Sequence, residues 1–288
     1  MRRRFTMNKG FTEPINIDNY LTIEAREDGL TASLSVNACE YCVDGDGNWK
    51  TLPDGTATES INSGHTLSFR GNLTPNGIKG IGTFTINKKC NLKGNCMSMI
   101  FGDNAVNNFS LSGKNFAFYK LFLNCKNIVN VSRNFLPATT LAMSCYAVMF
   151  NGCTSLTTAP ELPATILSNS CYSTMFSGCK SLTTTPVLPA TNLADYCYAS
   201  MFFSCTSLTT APTLPATTLS DNCYYQMFYG CTKLNYIKCL ATNISAYNCT
   251  YNWVNGVAAT GTFVKAADMT GWTTGIEGIP TGWTVQNA

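Results

Sequence analysis

The chain has 288 residues, only 12% of them charged, and a formal net charge of +3. This charged fraction is about half that of an average soluble protein, so Thr, Ser and Asn must supply most of the polar surface. Four of the 19 basic residues, Arg2, Arg3, Arg4 and Lys9, lie in the first ten positions. The rest of the chain is close to neutral, which argues against a nucleic-acid-binding surface across it.

Residues 1–18 are predicted to form a basic N-terminal arm that anchors the protein to a partner; a disordered tail is the alternative. No apolar run of roughly 7–15 residues follows the arginines, so the arm is not expected to be a secretory signal. No segment approaches the roughly 18 apolar residues of a membrane span. A chain without such a leader would reach the outside by another route, such as a virus particle released by lysis.

Residues 19–86 are predicted to form a small antiparallel, sandwich-like β domain. Segments of strand-like alternation lie at 20–25, 30–36, 49–52, 66–70 and 82–86. Asp-Gly and Asn-Gly pairs between them are typical of tight turns. Residues 44–48 also resemble the start of a calcium loop, but Gly55 stands where that loop needs glutamate. A hairpin turn is therefore favoured over a weak calcium site.

Residues 87–258 contain a unit of 26 residues that is repeated nearly letter for letter. Leu-Pro-Ala-Thr begins at Leu136, Leu162, Leu188 and Leu214, and each copy continues to Cys-Tyr-x-x-Met-Phe-x-x-Cys. This fixed period predicts stacked units that bury their apolar faces against one another. A degenerate first copy carries two extra residues around 132–135. Residues 259–288 are predicted to close the stack as a β-rich cap.

Each repeat is predicted to contain one short helix and one short strand. Cys171, Met175 and Cys179 are four residues apart, so on a helix they would form one inward ridge. Residues 182–185 would form a strand that the following proline ends. The predicted fold class is thus α+β, in which the antiparallel β domain precedes a solenoid with helices on one face and a sheet on the other.

A family resemblance is carried by Cys-x-x-Leu, then Leu-Pro, then an aromatic segment ending in Met-Phe-x-x-Cys. This pattern resembles the BspA-type leucine-rich repeats of bacterial surface proteins. The segments Tyr20-Leu-Thr-Ile-Glu-Ala25 and Gly271-Trp-Thr-Thr-Gly-Ile-Glu-Gly-Ile-Pro280 are similar to parts of such proteins from gut Bacteroides and their phages. The repeat is longer than the usual unit of the family, and the family's export signal is missing. The resemblance implies a leucine-rich-repeat solenoid that serves as a generic interaction scaffold.

The fifteen cysteines are predicted to be buried free thiols. Their spacings of eight and eighteen do not match the close pairs of zinc sites. Cysteines eight apart on a helix lie about 12 Å apart, which is beyond disulfide reach. Cys39 and Cys42 form a lone Cys-x-x-Cys, for which a disulfide or a redox role is the alternative. We predict no metal and no cofactor.

Enzymatic activity is not predicted. The chain has one histidine, His65, and no nucleophile–base–acid set can be assembled around it from the sequence. His65 is therefore expected to be a loop residue.

Candidate binding residues are those at which the repeats differ, since packing does not dictate the side chain there. They are Tyr196, Phe203, Tyr225, Gln226 and Tyr229. Extra aromatic residues at variable positions favour an exposed contact surface, and incidental variation is the alternative.

These observations favour a non-enzymatic display or adhesion module that presents its repeats to a protein or glycan. The absence of a signal peptide favours the virion surface, as a head or tail fibre or a decoration protein of a phage. A bacterial cell-surface adhesin and an intracellular protein-interaction scaffold are the alternatives. The expected partners are virion or cell-surface proteins at the arm and a ligand on the repeats, with neither nucleic acid nor a membrane span. A homo-oligomer is compatible with this hypothesis.

Overall fold

The computed structural model of the protein describes residues 13–288, so Arg2, Arg3, Arg4 and Lys9 of the predicted anchor lie outside the described residues. Eleven strands and one α-helix, α1, occur in the described part. They are β1 Leu21–Ala25, β2 Ala32–Leu34, β3 Cys39–Val43, β4 Lys50–Leu52, β5 Thr66–Arg70, β6 Phe84–Ile86, β7 Cys90–Gly94, α1 Ser98–Phe101, β8 Ile128–Val131, β9 Tyr236–Cys239, β10 Thr262–Lys265 and β11 Thr284–Asn287. Short 3-10 helices lie at Ile17–Asn19, Gly77–Lys79, Gly102–Asn107 and Arg133–Phe135.

The largest sheet has six strands in the order β4-β3-β5-β1-β7-β8. Its pairs are antiparallel except for β7 and β8, which run parallel. The strand predicted at 66–70 has the predicted bounds, and the other four predicted strands are present with shorter bounds. The strands β3 and β7 lie outside those five segments. The prediction of a separate antiparallel sandwich is wrong, because β7 and β8 extend the same sheet beyond residue 86. The hairpin predicted at Asp44 to Asn48 is confirmed, since it joins the antiparallel strands β3 and β4.

A cluster around Arg70 fixes one end of this sheet. Arg70 Nε lies 2.8 Å from a carboxylate oxygen of Glu40, and Nη1 lies 2.9 Å from Asp103. The guanidinium carbon stands 4.1 Å from the centre of the Trp49 ring, a cation–π contact. The Tyr20 hydroxyl donates to Asp103 at 2.8 Å. Burial, followed by this hydrogen bond to a carboxylate, raises the pKa of Tyr20 to about 12.

The predicted repeat architecture is wrong, because the segments expected to be helical are runs of overlapping turns. Within the described residues the only α-helix is α1, four residues long. Residues 182–185 form no strand either, and only Thr184 makes a bridge, to Thr158. The protein is therefore mostly sheet and turn rather than an α+β leucine-rich-repeat solenoid with helices on one face.

Alternate N–H groups of each turn segment point in different directions. In the repeat that begins at Leu162, the N–H groups of Met175 and Ser177 donate to the carbonyls three residues before them. Those of Thr174, Phe176 and Gly178 donate instead to carbonyls of the following repeat, at 2.8 to 2.9 Å. About half of the backbone hydrogen bonds of these segments thus hold one repeat to the next. A helix would have kept all of them within the segment.

This alternation is accompanied by a left-handed residue at every fourth position of the segment. Ser170, Thr174 and Gly178 have φ angles of 57°, 59° and 72°. Gly178 suits this conformation, but threonine and valine adopt it at a cost, and Val148 has a φ of 62°. Gly152 and Gly230, at the equivalent positions of other repeats, are left-handed as well, with φ angles of 74° and 72°.

Two columns of aromatic rings fill the interior of the repeats. Phe150 and Phe176 stack with centres 5.7 Å apart, and Tyr172 and Tyr198 with centres 5.8 Å apart. Cys171, Met175 and Cys179 are fully buried, so their predicted inward direction is confirmed. A three-stranded parallel sheet in the order β11-β10-β9 closes the C-terminal end.

We predict that Tyr172→Phe raises the free energy of unfolding by about 1 kcal/mol, because a buried hydroxyl without a partner is costly. The Tyr172 hydroxyl is buried and has no hydrogen-bond partner among the residues that the structure describes. Tyr20→Phe is the matched control and should lower the free energy by a similar amount, since it removes a hydrogen bond. Urea unfolding of both variants measures these changes, and a destabilised Tyr172→Phe protein would contradict the packing described here.

Candidate interaction surface

Two turn segments carry a stacked pair of partly exposed rings, Phe203 and Tyr229. The two residues are 26 apart, so they occupy the same position in successive repeats. Their centres lie 4.9 Å apart with an angle of 2° between the ring planes. Both side chains are half-buried. The two preceding repeats carry Asn151 and Ser177 at this position, so the backbone does not require an aromatic residue there.

Tyr225 and Tyr251 form a second stacked pair. Tyr225 lies four residues before Tyr229 in the same turn segment, and Tyr251 is the equivalent residue of the next repeat. Its centres are 5.2 Å apart and its planes differ by 15°. Tyr251 is 37% exposed. Since Tyr225 and Tyr229 belong to one turn segment, the two pairs share a repeat and stand side by side on it. We call Phe203, Tyr225, Tyr229 and Tyr251 the aromatic face.

The other two predicted binding residues lie at left-handed positions of the turns. Tyr196 has a φ of 56° and is 45% exposed, and Gln226 has a φ of 50° and is half-buried. Neither belongs to a stacked pair. Gln226 follows Tyr225 directly in the chain and is partly exposed, whereas Met227 and Phe228, which come next, are fully buried.

Sequence reasoning missed Tyr251 and Tyr247. Tyr251 follows Tyr225 by one repeat length, so the 26-residue spacing could have found it. Tyr247 is 69% exposed, and its backbone N–H is held by Asp221 Oδ1 at 2.8 Å. The last repeat keeps register through Cys249 and Trp253 but is otherwise divergent, which is why its tyrosines were overlooked.

The fifteen cysteines are free and buried, as predicted. One column of them has a structural role that the sequence did not indicate. Cys179 Sγ donates to the Phe150 carbonyl at 3.2 Å, and Cys205 and Cys231 make the equivalent bonds one and two repeats further on. Burial raises the pKa of Cys179 to about 12. These thiols are therefore neutral hydrogen-bond donors at physiological pH rather than nucleophiles.

Cys39 and Cys42 both lie on β3. Burial raises the pKa of Cys39 to about 12 and that of Cys42 to about 11. Both thiols are free, so no disulfide joins them. Their raised pKa values are the opposite of what a reactive redox pair requires.

His65 lies in the turn before β5, next to the carboxylate of Asp44. Its Nδ1 is 2.5 Å from Asp44 Oδ2, while Asp44 Oδ1 accepts the Thr66 N–H at 2.8 Å. Partial burial acts to raise the pKa of Asp44, but the hydrogen bonds from His65 and Thr66 outweigh it, so the pKa is lowered. The pair lies on the surface and ties the β3–β4 hairpin to β5.

No family model, curated protein or solved structure matches the chain. The resemblance to BspA-type proteins therefore rests on the sequence motifs alone. Within residues 13–288, no group of three or more His, Cys, Asp or Glu side chains is arranged to hold a metal ion. None of the helices in that range has the length and apolar character needed to cross a membrane.

We predict that the free energy of unfolding falls steeply as the pH rises above about 9. The folded protein holds the thiol pKa values at about 12, as at Cys125, Cys171 and Cys231, whereas thiols of the unfolded chain ionise near 9. Above about pH 9 these thiols lose their protons in the unfolded state but keep them in the folded state. The free energy of unfolding therefore falls by about 1.4 kcal/mol per pH unit for each such thiol. Urea unfolding under reducing conditions between pH 7 and about pH 10 measures this loss, and constant stability across that range would contradict it.

Proposed function

We propose that this protein is a non-enzymatic display module whose aromatic face binds a protein partner. The supporting observation is that two stacked pairs of partly exposed rings stand side by side in adjacent repeats. The preceding complete repeats carry Ala, Ser or Asn at these positions, so stacking of the repeats does not depend on the rings. Tyrosine is enriched at protein interfaces because it offers a rigid apolar body with a hydroxyl at its end.

The geometry favours a protein over a glycan as the ligand. Phe203 and Tyr229 stack face to face, as do Tyr225 and Tyr251, and we expect a ligand to meet mainly the ring edges and the hydroxyls of the three tyrosines. Edges and hydroxyls suit the mixed apolar and polar contacts of a protein surface, where central aromatic residues contribute most of the affinity. In the sequence of the same repeat, Asp221 precedes Tyr225 and Lys233 follows Tyr229, and these charged residues would supply a polar rim.

Display on a virion surface is the setting that we propose, with a bacterial cell surface as the alternative. In this setting the basic arm binds a particle or envelope protein while the aromatic face contacts the outside. The end of the arm that the structure describes is bound to the body of the protein, because the Ile15 N–H donates to the Gly45 carbonyl at 2.8 Å. This contact is compatible with an arm that anchors the body to a particle. The chain is thus held to the body from residue 15 onward, and residues 1–12 can be removed without breaking that contact.

The double variant Tyr225→Ala/Tyr229→Ala should bind its partner at least about tenfold more weakly, since both rings of one repeat are lost. The measurement is binding of fluorescently labelled protein to cells of a gut Bacteroides strain, with matched samples treated with protease or periodate. Protease should abolish the part of the binding that the double variant loses, and periodate should leave that part intact.

Val187→Ala is the matched control for that experiment, because Val187 is 74% exposed and lies outside the turn segments. It should bind like the unaltered protein. If periodate rather than protease removed the part of the binding that the double variant loses, the ligand of the aromatic face would be a glycan and the protein-partner proposal would be wrong. Unchanged binding by a folded double variant would exclude the aromatic face.

Deletion of residues 2–12 should abolish attachment to particles while leaving the fold intact. The deletion removes Arg2, Arg3, Arg4 and Lys9 but keeps Ile15 on Gly45. Immunoblots of purified phage particles from cells that express either chain measure attachment, and circular dichroism checks the fold. A truncated chain that still co-purifies with particles, or a full chain that does not, would overturn the anchoring role.

A further inference from the structure

A cavity lies where the six-stranded sheet meets the first repeats. It has a volume of about 480 Å³, within the usual size range of small-ligand sites. Its walls come from the 3-10 helix Ile17–Asn19, the 3-10 helix Gly102–Asn107 with Phe109 just after it, the 3-10 helix Arg133–Phe135 and the repeat that begins at Leu136, with Pro163 from the next repeat. It shares no residue with the aromatic face.

The cavity exists because the repeat pattern is broken at this point. The degenerate first copy of the repeat is two residues longer than the 26-residue period, and the extra residues fall at the 3-10 helix Arg133–Phe135. The extra turn places Arg133 and Asn134 on the rim of the cavity. Glu161 lies beside Arg133, whose carbonyl accepts the Glu161 N–H at 3.0 Å, at a position that carries Val187 and Thr213 in the next two repeats.

An exposed ring forms the apolar wall. The Phe109 carbonyl accepts the Thr139 N–H at 2.8 Å, and the Thr139 carbonyl accepts the Thr165 N–H at 3.2 Å, so the three residues occupy equivalent positions. Threonine fills this position in the later repeats, whereas Phe109 is 51% exposed within the cavity. The exposed phenyl ring is thus another departure from the repeat pattern at the same place.

The polar groups of the cavity suit a ligand that carries hydroxyls and no negative charge. Arg133 donates through Nε to Glu161 Oε1 at 2.8 Å, and its Nη2 binds the same oxygen. Glu161 balances the charge of Arg133, and Asp18 adds a second carboxylate, so the charges that line the cavity favour a neutral ligand over an anionic one. An ion pair with side chains 83% and 45% exposed adds little to stability. The side-chain amides of Asn19 and Asn134 make no hydrogen bond with the other described residues.

We propose that this cavity is a binding site for one neutral pyranose unit of a saccharide. The apolar face of the sugar would lie on the Phe109 ring, and its hydroxyls would donate to the carboxylates of Asp18 and Glu161. Hydrogen bonds to ionised acceptors are the stronger kind, and the amides of Asn19 and Asn134 add both a donor and an acceptor. The site is independent of the protein interface proposed above.

The test is titration of the full chain with the methyl glycosides of glucose, galactose, mannose and N-acetylglucosamine, followed by saturation-transfer NMR. At least one of them should bind saturably. Phe109→Ala and Asp18→Asn should each weaken binding at least about tenfold. Sialic acid, which is anionic, should not bind.

Two controls separate this site from the rest of the molecule. Val187→Ala, an exposed apolar residue outside the cavity, should leave glycoside binding unchanged, and so should Tyr225→Ala/Tyr229→Ala. Unaltered circular dichroism and unfolding curves show that the cavity variants fold. The proposal is overturned if none of the four glycosides saturates, if folded Phe109→Ala binds as well as the unaltered chain, or if sialic acid binds as tightly as the neutral sugars.

Discussion

Hydrogen bonds between successive repeats determine most of this structure. In each turn segment every second backbone N–H donates to a carbonyl of the next repeat, as the Thr174 N–H does to the Ala199 carbonyl at 2.8 Å. These bonds fix the spacing at which the Phe and Tyr columns stack. Because no repeat can satisfy its own backbone, the units depend on their neighbours, and the six-stranded sheet and the β9–β11 sheet must close the two ends.

The spacing of apolar residues could be predicted, but the local conformation could not. Cys171, Met175 and Cys179 recur at every fourth position and face inward, which suits a helix. A turn run with one left-handed residue in four has the same period, so the pattern cannot separate the two structures. Small polar residues at Ser170 and Ser200 are the weak signal for turns, and the β-branched Val148 at the equivalent of Ser200 obscures it.

The sheet and the aromatic face differ in how well they could be predicted. Strands such as β1 and β5 follow the alternation of their residues, so their positions were predictable. The pairing of β1 with β7 was not, because it joins residues on either side of the boundary that composition suggested. Phe203, Tyr225 and Tyr229 were identified by their variation among repeats, but the stacking of Tyr225 on Tyr251 depends on the inter-repeat distance.

The two proposed binding sites follow from one constraint. A repeat that must hydrogen-bond to its neighbours and fill its interior with stacked rings leaves few positions free to vary. Ligand contacts can develop only where an outward position tolerates substitution, as at Tyr225 and Tyr229, or where the period itself is interrupted, as at Arg133 and Asn134. The buried thiols are not free to vary, because Cys179 and its equivalents donate hydrogen bonds to interior carbonyls. Chemistry-bearing residues that recur with the period therefore indicate packing, and those that depart from it indicate where to look for function.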